Sequence, residues 1–304
     1  MSKNKSAYVL LRGGGDLATG VALRLYRAGI KVVITELAQP LAVRRTVSFA
    51  EAVYDGHHAV EGVTARLVQR DQLQASLDAD EISVLVDPDA DILLHYPFSV
   101  VVDARLIKSP PPPLPTSVPL HIGLGPGFHA GENCHAVIET RRSHTLGRVY
   151  WTGTTQPDSG EPEGDRRRVL RASGDGVLTA KANIGEHVKE GQTIAVIQQH
   201  VVLRERSNRR ISENDDKTLR SAQSDIKVIS PFSGLLRGLI HDGLHVTKGM
   251  KIGDIDARND ASACHLVSDK ALAIGGGVLE AILSKAEIRE KIYPPLDSQS
   301  TQKG

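Results

Sequence analysis

The sequence predicts an α/β protein in which a parallel-sheet, nucleotide-binding type of domain is followed by a smaller β domain. Two observations support this class: a strand–glycine turn–helix pattern near the N-terminus, and a motif that repeats in the second half of the chain. With 304 residues, 40% of them hydrophobic, the chain is long enough for two domains. We expect the following division: domain 1–154, linker 155–167, β domain 168–256 with a charged insert 198–225, and a segment 257–304 that packs back on the first domain.

The glycine turn follows the apolar run Tyr8–Leu11 and precedes a predicted amphipathic helix that ends near Gly29. A second apolar run then ends on Glu36. This is the dinucleotide fingerprint in its G-x-G-x-x-A form, which is typical of a Rossmann-like domain. The fingerprint assigns the tight turn to Gly13, phosphate approach to Gly15 and close helix–strand packing to Ala18. The predicted cofactor-binding residues of this turn are Gly13, Gly14, Gly15, Asp16 and Ala18.

Charged residues near this turn suggest how a nucleotide would bind. Glu36 lies 21 positions after Gly15, near the place expected for a ribose-binding carboxylate. Arg44 and Arg45 follow the second strand, where paired arginines could hold a 2′-phosphate or another anion; the alternative is two solvated charges. Asp16 suits the helix dipole but would repel a bound pyrophosphate. The whole turn has a second interpretation, as a βα connection that binds nothing.

A second glycine-rich stretch follows the apolar run near residue 120 and contains Gly125 and Gly127. Such a loop can present backbone N–H groups to an anion, so we expect either a second wall of the ligand site or a structural loop. Asp103 and Arg105, at the end of a predicted strand, are further candidates, against ordinary strand-end capping. Cys134 is a catalytic candidate only as a reactive thiol or chalcogen acceptor; the alternative is a buried, inert thiol.

The internal repeat lies between residues 168 and 252. Its anchors Gly176, Gly185, Val188 and Gly191 recur 58 positions later. Two copies are too few for a solenoid and should pair into one compact β domain. The pattern resembles the half-motifs of a biotinyl/lipoyl barrel, or barrel-sandwich hybrid. Lys217, the lysine inside the charged insert, lacks the hairpin context of a modified carrier lysine, so we interpret the barrel as a structural or docking module.

Composition excludes several classes of function. Lys and Arg number 37 against 36 Asp and Glu, and aromatic residues make up only 4%, so neither a basic field nor stacking platforms for nucleic acid are expected. No stretch reaches the length of a membrane span, and no signal peptide is recognised, which predicts a cytoplasmic protein. Two cysteines are too few for a disulfide scaffold or a cysteine-rich zinc site, and we predict no metal ligands.

Five motifs together resemble the YqeB-type proteins, accessory proteins of the selenium-dependent molybdenum hydroxylase system. The motifs are Arg12–Gly20, Arg44–Val53, Gly123–Phe128, Asn133–Thr140 and Ile274–Ala281. The resemblance covers nearly the whole chain and departs at Asp256-Ala257-Arg258 and in the insert. It implies a role in maturing or inserting the molybdenum cofactor, without supplying a known reaction.

Three functions are compatible with these observations. The first is a maturation factor that binds a nucleotide-bearing ligand such as the molybdenum cofactor, a pterin dinucleotide, and docks a molybdenum hydroxylase or other maturation proteins; a homo-oligomer is left open. The second is an NAD(P)-dependent oxidoreductase that uses Glu36 on the ribose, although no proton donor is recognised beside a nicotinamide. The third is a non-catalytic scaffold. Titration with NAD, NADP, a cytidine nucleotide and the molybdenum cofactor would separate them.

Overall fold

The computed structural model describes residues 7–158, 160, 164–202, 221–258 and 260–294. The chain divides into two compact units. Unit 1 comprises Met1–Glu161 together with His265–Gly304, and unit 2 comprises Pro162–Cys264. The charged insert, including Lys217, lies outside the described residues apart from its two ends, as does the chain beyond residue 294.

Unit 1 contains eleven strands and five α-helices within the described ranges. The strands are β1 (Tyr8–Arg12), β2 (Lys31–Glu36), β3 (His57–Val60), β4 (Val63–Leu67), β5 (Ile82–Val86), β6 (Phe98–Asp103), β7 (Leu120–Leu124), β8 (His129–Ala130), β9 (Ala136–Ile138), β10 (Val149–Tyr150) and β11 (Gly153–Thr154). The helices are α1 (Asp16–Arg27), α2 (Ala52–Asp55), α3 (Leu73–Asp78), α4 (Asp269–Leu283) and α5 (Ala286–Ile292).

The main sheet of unit 1 has nine strands in the part of the chain described, in the order β10-β9-β7-β6-β1-β2-β5-β4-β3. The seven strands from β9 to β4 are parallel, and β10 and β3 pair antiparallel at the two edges. The central strands are rich in Val, Leu and Ile, as strands buried on both faces are. In this order β1 is the central strand, so the glycine turn follows the strand in the middle of the sheet.

Alternate residues of the central strands face two different apolar layers. Val9 and Leu11 belong to the cluster that contains α1 and α4, whereas Leu10 belongs to the cluster that contains α3. Helix α4 packs closely on α1 because both helices carry glycine at the crossing. A Cβ at Gly275 would lie 2.8 Å from the carbonyl oxygen of Gly20, so a side chain there would force the helices apart.

Unit 2 consists of two four-stranded sheets in its described part. Its strands are β12 (Val169–Arg171), β13 (Gly176–Ala180), β14 (His187–Val188), β15 (Thr193–Val202), β16 (Ser221–Ile229), β17 (Gly234–Leu239), β18 (His245–Val246) and β19 (Lys251–Asp256). The sheet orders are β12-β19-β17-β14 and β16-β15-β13-β18. Each copy of the sequence repeat contributes two strands to each sheet, so neither copy forms a sheet by itself.

The predicted fold class, a Rossmann-like domain plus a biotinyl/lipoyl-like barrel and a C-terminal helical segment, is wrong. The structure is a mixed α/β fold with large sheets. The main sheet carries antiparallel edge strands, and its connections after β5 and β6 run through a 3₁₀ turn at Asp91–Leu94 and a proline-rich loop instead of crossover helices. Unit 2 has a long antiparallel β15–β16 ribbon where a carrier barrel has a tight hairpin. Among the described residues, no helix is long and apolar enough to cross a membrane.

Candidate functional site

The candidate site lies at the carboxyl ends of β1 and β6, where the order in which the chain adds strands to the sheet reverses. From β1 the chain continues to β2 on one side, while β6 pairs with β1 on the other side. In open sheets of parallel strands, ligands bind outside the strand ends at such a switch point. Here the glycine turn Gly13–Gly15 follows β1, and Ala104 and Arg105 follow β6.

The glycine turn is held to β2 by backbone and carboxylate contacts. Gly13 has a φ of +90° and donates its N–H to the Thr35 carbonyl at 2.8 Å. Gly14 donates its N–H to Glu36 Oε2 at 2.7 Å, and Glu36 Oε1 accepts from the Leu37 N–H at 2.8 Å. The Glu36 carboxylate therefore points into the turn, and it accepts the Gly14 N–H that would otherwise be available to a phosphate.

The segment after Arg45 covers one side of this turn. Ala50 donates its N–H to the Gly14 carbonyl, and Phe49 donates to Thr19 Oγ1, both at 2.9 Å. A Cβ at Gly14 would lie 2.9 Å from the Ala50 nitrogen, so glycine is needed for this close approach. Gly15 differs: no atom lies within 4 Å of the position of its Cβ.

The first turn of α1 is therefore open at Gly15. Gly15 is the N-cap residue and, as a glycine, has no side chain that could accept the N–H groups of the first turn. The first N–H groups of any helix lack partners within the helix, and the helix dipole favours an anion at that end. Asp16 already contributes a carboxylate there: its Oδ1 accepts from the Leu17 N–H, and its Oδ2 lies 3.5 Å from Arg44.

Three arginines adjoin the turn. Arg105 packs on Gly13, whose Cβ position lies 3.4 Å from Arg105 Cγ, and its guanidinium makes two bonds to Asp103, at 2.9 and 2.6 Å. Arg12 lies behind it, 3.5 Å from Asp103 and bonded to a backbone carbonyl. Arg44 donates to the carbonyl oxygen of Leu266 at 3.1 Å. Arg44 and Arg105 are both partly accessible, and both are already paired with carboxylates, Arg44 with Asp16 and Arg105 with Asp103.

Two buried residues at the site escaped the sequence analysis: Arg12 and His121. Arg12 Nε and His121 Nε2 are buried and have no hydrogen-bond partner among the residues that the structure describes. Burial lowers the pKa of His121 to about 4, so its ring is neutral at pH 7; Asp103 opposes this shift, and Arg12 and Arg105 reinforce it. An unpaired buried polar atom costs free energy, so these two positions are unusual within apolar strands. The sequence feature that could have identified Arg12 and His121 is a basic or titratable residue inside an otherwise apolar strand.

Two Asp-Ala-Arg triplets in the chain make the same local contacts. In Asp103–Arg105 and in Asp256–Arg258, the arginine Nε donates to Oδ1, at 2.9 and 3.0 Å, and Nη2 donates to Oδ2, at 2.6 and 2.7 Å. Both triplets stand at the end of a strand. An Asp–Arg pair of this kind is thus a feature of strand ends in this chain. The Asp103–Arg105 triplet differs from the other in its contacts with the glycine turn and with Arg12.

Several predicted site residues lie away from this centre. Ala18 is buried in the core, and Arg45 pairs with Glu51 at 3.0 Å. The second glycine loop is packed against the chain after Arg105. Gly127 donates its N–H to the Ile107 carbonyl, and a Cβ at Gly125 would meet the Leu106 backbone at 3.2 Å. These contacts favour a structural loop over a second anion-binding wall.

Cys134 lies in a small apolar cluster with Phe128, Ala130 and Val137. Burial raises the pKa of its thiol to about 11. The thiolate is the nucleophilic form of cysteine, so this environment suppresses reactivity at neutral pH. Over the residues that the structure describes, no group of three or more His, Cys, Asp or Glu side chains is arranged to hold a metal ion.

Comparison with known proteins gives one sequence relative. The chain is 43% identical over 280 residues to the uncharacterized protein YqeB of Escherichia coli K12. The chain is similar to YqeB. The match covers 90% of this chain but 47% of YqeB, so the chain spans about half the length of the curated relative it matches. This supports the resemblance to YqeB-type proteins, and no family model matches the chain.

Solved structures resemble the chain only distantly. An aspartoacylase family protein from Mesorhizobium loti is 10% identical, with a TM-score of 0.25 over 82% of this chain and 85% of that one. A succinylglutamate desuccinylase/aspartoacylase from Rhodobacter sphaeroides is 12% identical, with a TM-score of 0.25 over 83% and 86%. Similarity at this level carries no functional argument.

Proposed function

We propose that unit 1 binds a small molecule carrying a phosphate group, with the phosphate at Gly15. One observation carries this proposal: the open first turn of α1 lies at the switch point of the sheet, with Arg105 packed against the same glycine turn. Backbone N–H groups at a helix start bind phosphate. In this proposal Arg105 adds a charge-assisted bond to the phosphate while it keeps its pair with Asp103.

The position of Glu36 narrows the class of ligand. In a nicotinamide site the carboxylate at the end of the second strand binds the ribose, but here it accepts N–H groups from Gly14 and Leu37. Hydrogen bonds to a charged group contribute about 1.5–3 kcal/mol each, so releasing Glu36 toward a ribose would be costly. This geometry favours a ligand that approaches from the Gly15 side over NAD(P).

We further propose, from the resemblance to YqeB-type proteins, that the chain is an accessory or maturation protein for selenium-dependent molybdenum hydroxylases. A pterin dinucleotide form of the molybdenum cofactor fits the chemistry, because its pyrophosphate suits the helix start and Arg105 while Arg44 supplies a second cation. In this proposal unit 2 docks a hydroxylase or another maturation protein.

Calorimetric titration of the chain with four ligands tests the proposal: NAD, NADP, a cytidine nucleotide and the molybdenum cofactor. Gly15 provides matched variants, because its φ of −64° and its open surroundings accommodate a side chain. Gly15→Ala should retain binding. Gly15→Asp, which adds a carboxylate where the phosphate is expected, should weaken it at least tenfold.

The outcomes separate the three functions. Binding of the molybdenum cofactor or the cytidine nucleotide, lost in Gly15→Asp, supports the proposal. Binding of NAD or NADP alone would replace it with an oxidoreductase. Absence of binding to all four ligands would favour a scaffold.

A further inference from the structure

Unit 2 carries a groove between the edges of its two sheets. Its volume is about 270 Å³. Strand β12 is the last strand of one sheet and β16 the last strand of the other, so within the described chain each has an edge with no strand paired to it. The groove is lined by Arg167, Val169, Leu170, Arg171, Ser173, Lys227, Val228, Ile229 and Pro231.

The groove is lined by both cationic and apolar side chains. Arg167, Arg171 and Lys227 supply three positive charges, of which Arg167 is neutralised by Asp165. Arg171 donates one N–H to the Gly249 carbonyl, a neutral acceptor, and forms no ion pair with a carboxylate of the described residues. Ile229 is 53% exposed and adds an apolar surface to the lining of the groove.

We propose that this groove binds an extended acidic peptide segment of a partner protein, added as a strand between β12 and β16. Extended peptides gain affinity from main-chain hydrogen bonds to a free sheet edge and specificity from alternate side chains. Acidic side chains would pair with Arg171 and Lys227, and an apolar side chain would cover Ile229.

Size and charge favour this occupant. Sites for small organic ligands usually measure about 300–1,000 Å³ and enclose most of the ligand, whereas this groove is smaller and open along two strand edges. Charges on a sheet edge also prevent unwanted pairing between protein copies. Ile229 lies two residues after Lys227 on the same strand, so an apolar contact surface adjoins the charge. This proposal is independent of ligand binding at Gly15, because the two features belong to different units.

Fluorescence anisotropy with the full chain tests the proposal. The probe is a labelled eight-residue peptide that alternates Glu with Val. Two control peptides replace Glu by Lys or carry N-methyl groups on alternate backbone nitrogens. We expect saturable binding of the acidic peptide, weakened by salt, and at least tenfold weaker binding of both controls.

Charge reversal locates the site. Lys227→Glu and Arg171→Glu change exposed side chains and should each weaken binding at least tenfold. Lys181→Glu, an exposed lysine of unit 2 outside the groove, should leave binding unchanged. Circular dichroism would verify that each variant is folded. The proposal would be overturned if the acidic and basic peptides bound equally, or if Lys227→Glu had no effect on binding. It would also be overturned if the free chain formed a concentration-dependent dimer that Lys227→Glu abolishes.

Discussion

His121 should make unit 1 sensitive to mild acid. Burial lowers the pKa of its imidazole from 6.5 to about 4. Between these values the unfolded chain binds a proton that the folded chain does not, so stability falls as the pH falls from 6.5 to 4 and is fully present above 6.5. At 1.36 kcal/mol per pH unit, the loss between pH 7.5 and pH 4.5 is about 2.5 kcal/mol.

The assay is urea unfolding followed by tryptophan fluorescence at pH 7.5 and pH 4.5. The sequence has one tryptophan, Trp151, which belongs to unit 1, so the signal reports on that unit. His121→Leu should reduce the loss of unfolding free energy between the two pH values by about 2.5 kcal/mol. The control His95→Gln changes an exposed histidine and should behave like the wild type. A His121→Leu variant whose loss matches the wild type within about 0.5 kcal/mol would refute this reasoning.

Three further predictions concern packing, thiol chemistry and unit 2. Gly275→Ala should lower the stability of unit 1 by about 1–3 kcal/mol, because its Cβ would press on α1. The neighbouring Gly276→Ala, where the space is open, should raise the stability by up to about 1 kcal/mol. Thermal unfolding curves in which both variants change stability alike would contradict the packing. Cys134, whose thiol has its pKa raised to about 11, should resist iodoacetamide at pH 7.5 in the folded chain and react once unfolded; rapid labelling of native protein would contradict its burial. The pKa of Asp256 is lowered from 3.8 to about 2 by its bonds with Arg258, so its contribution to the stability of unit 2 is present above pH 4 and is lost toward pH 2. Asp256→Asn should remove about 2 kcal/mol of this pH dependence of the unfolding free energy, measured by amide exchange. An unchanged pH dependence in the variant would count against the pairing.

The local chemistry of the glycine turn followed from the sequence, and its long-range contacts did not. A strand, a glycine turn and a helix stand where the pattern indicated, and Glu36 ends the next strand. That Glu36 turns back onto Gly14, 22 residues away, depends on how β1 and β2 pair. The cover of the turn by residues near Ala50 depends equally on tertiary packing.

The predicted fold class failed for a related reason. Strand β10, one of the two antiparallel edge strands of the main sheet, has only two residues and is too short to show periodicity, so the sequence did not indicate it. The fingerprint also led us to expect crossover helices that the chain replaces with turns and loops. Arg12 and His121 were missed because only the neighbouring strands make them buried.

Amide chemical shifts measure the central claim most directly. The proposal places a phosphate at the start of α1, so titration of the ¹⁵N-labelled chain with the molybdenum cofactor should shift the amide resonances of Gly15 and Asp16 saturably. Amides of β3, at the far edge of the sheet, should stay unchanged. Binding of the cofactor with no shift at Gly15 or Asp16 would contradict a phosphate site at the glycine turn.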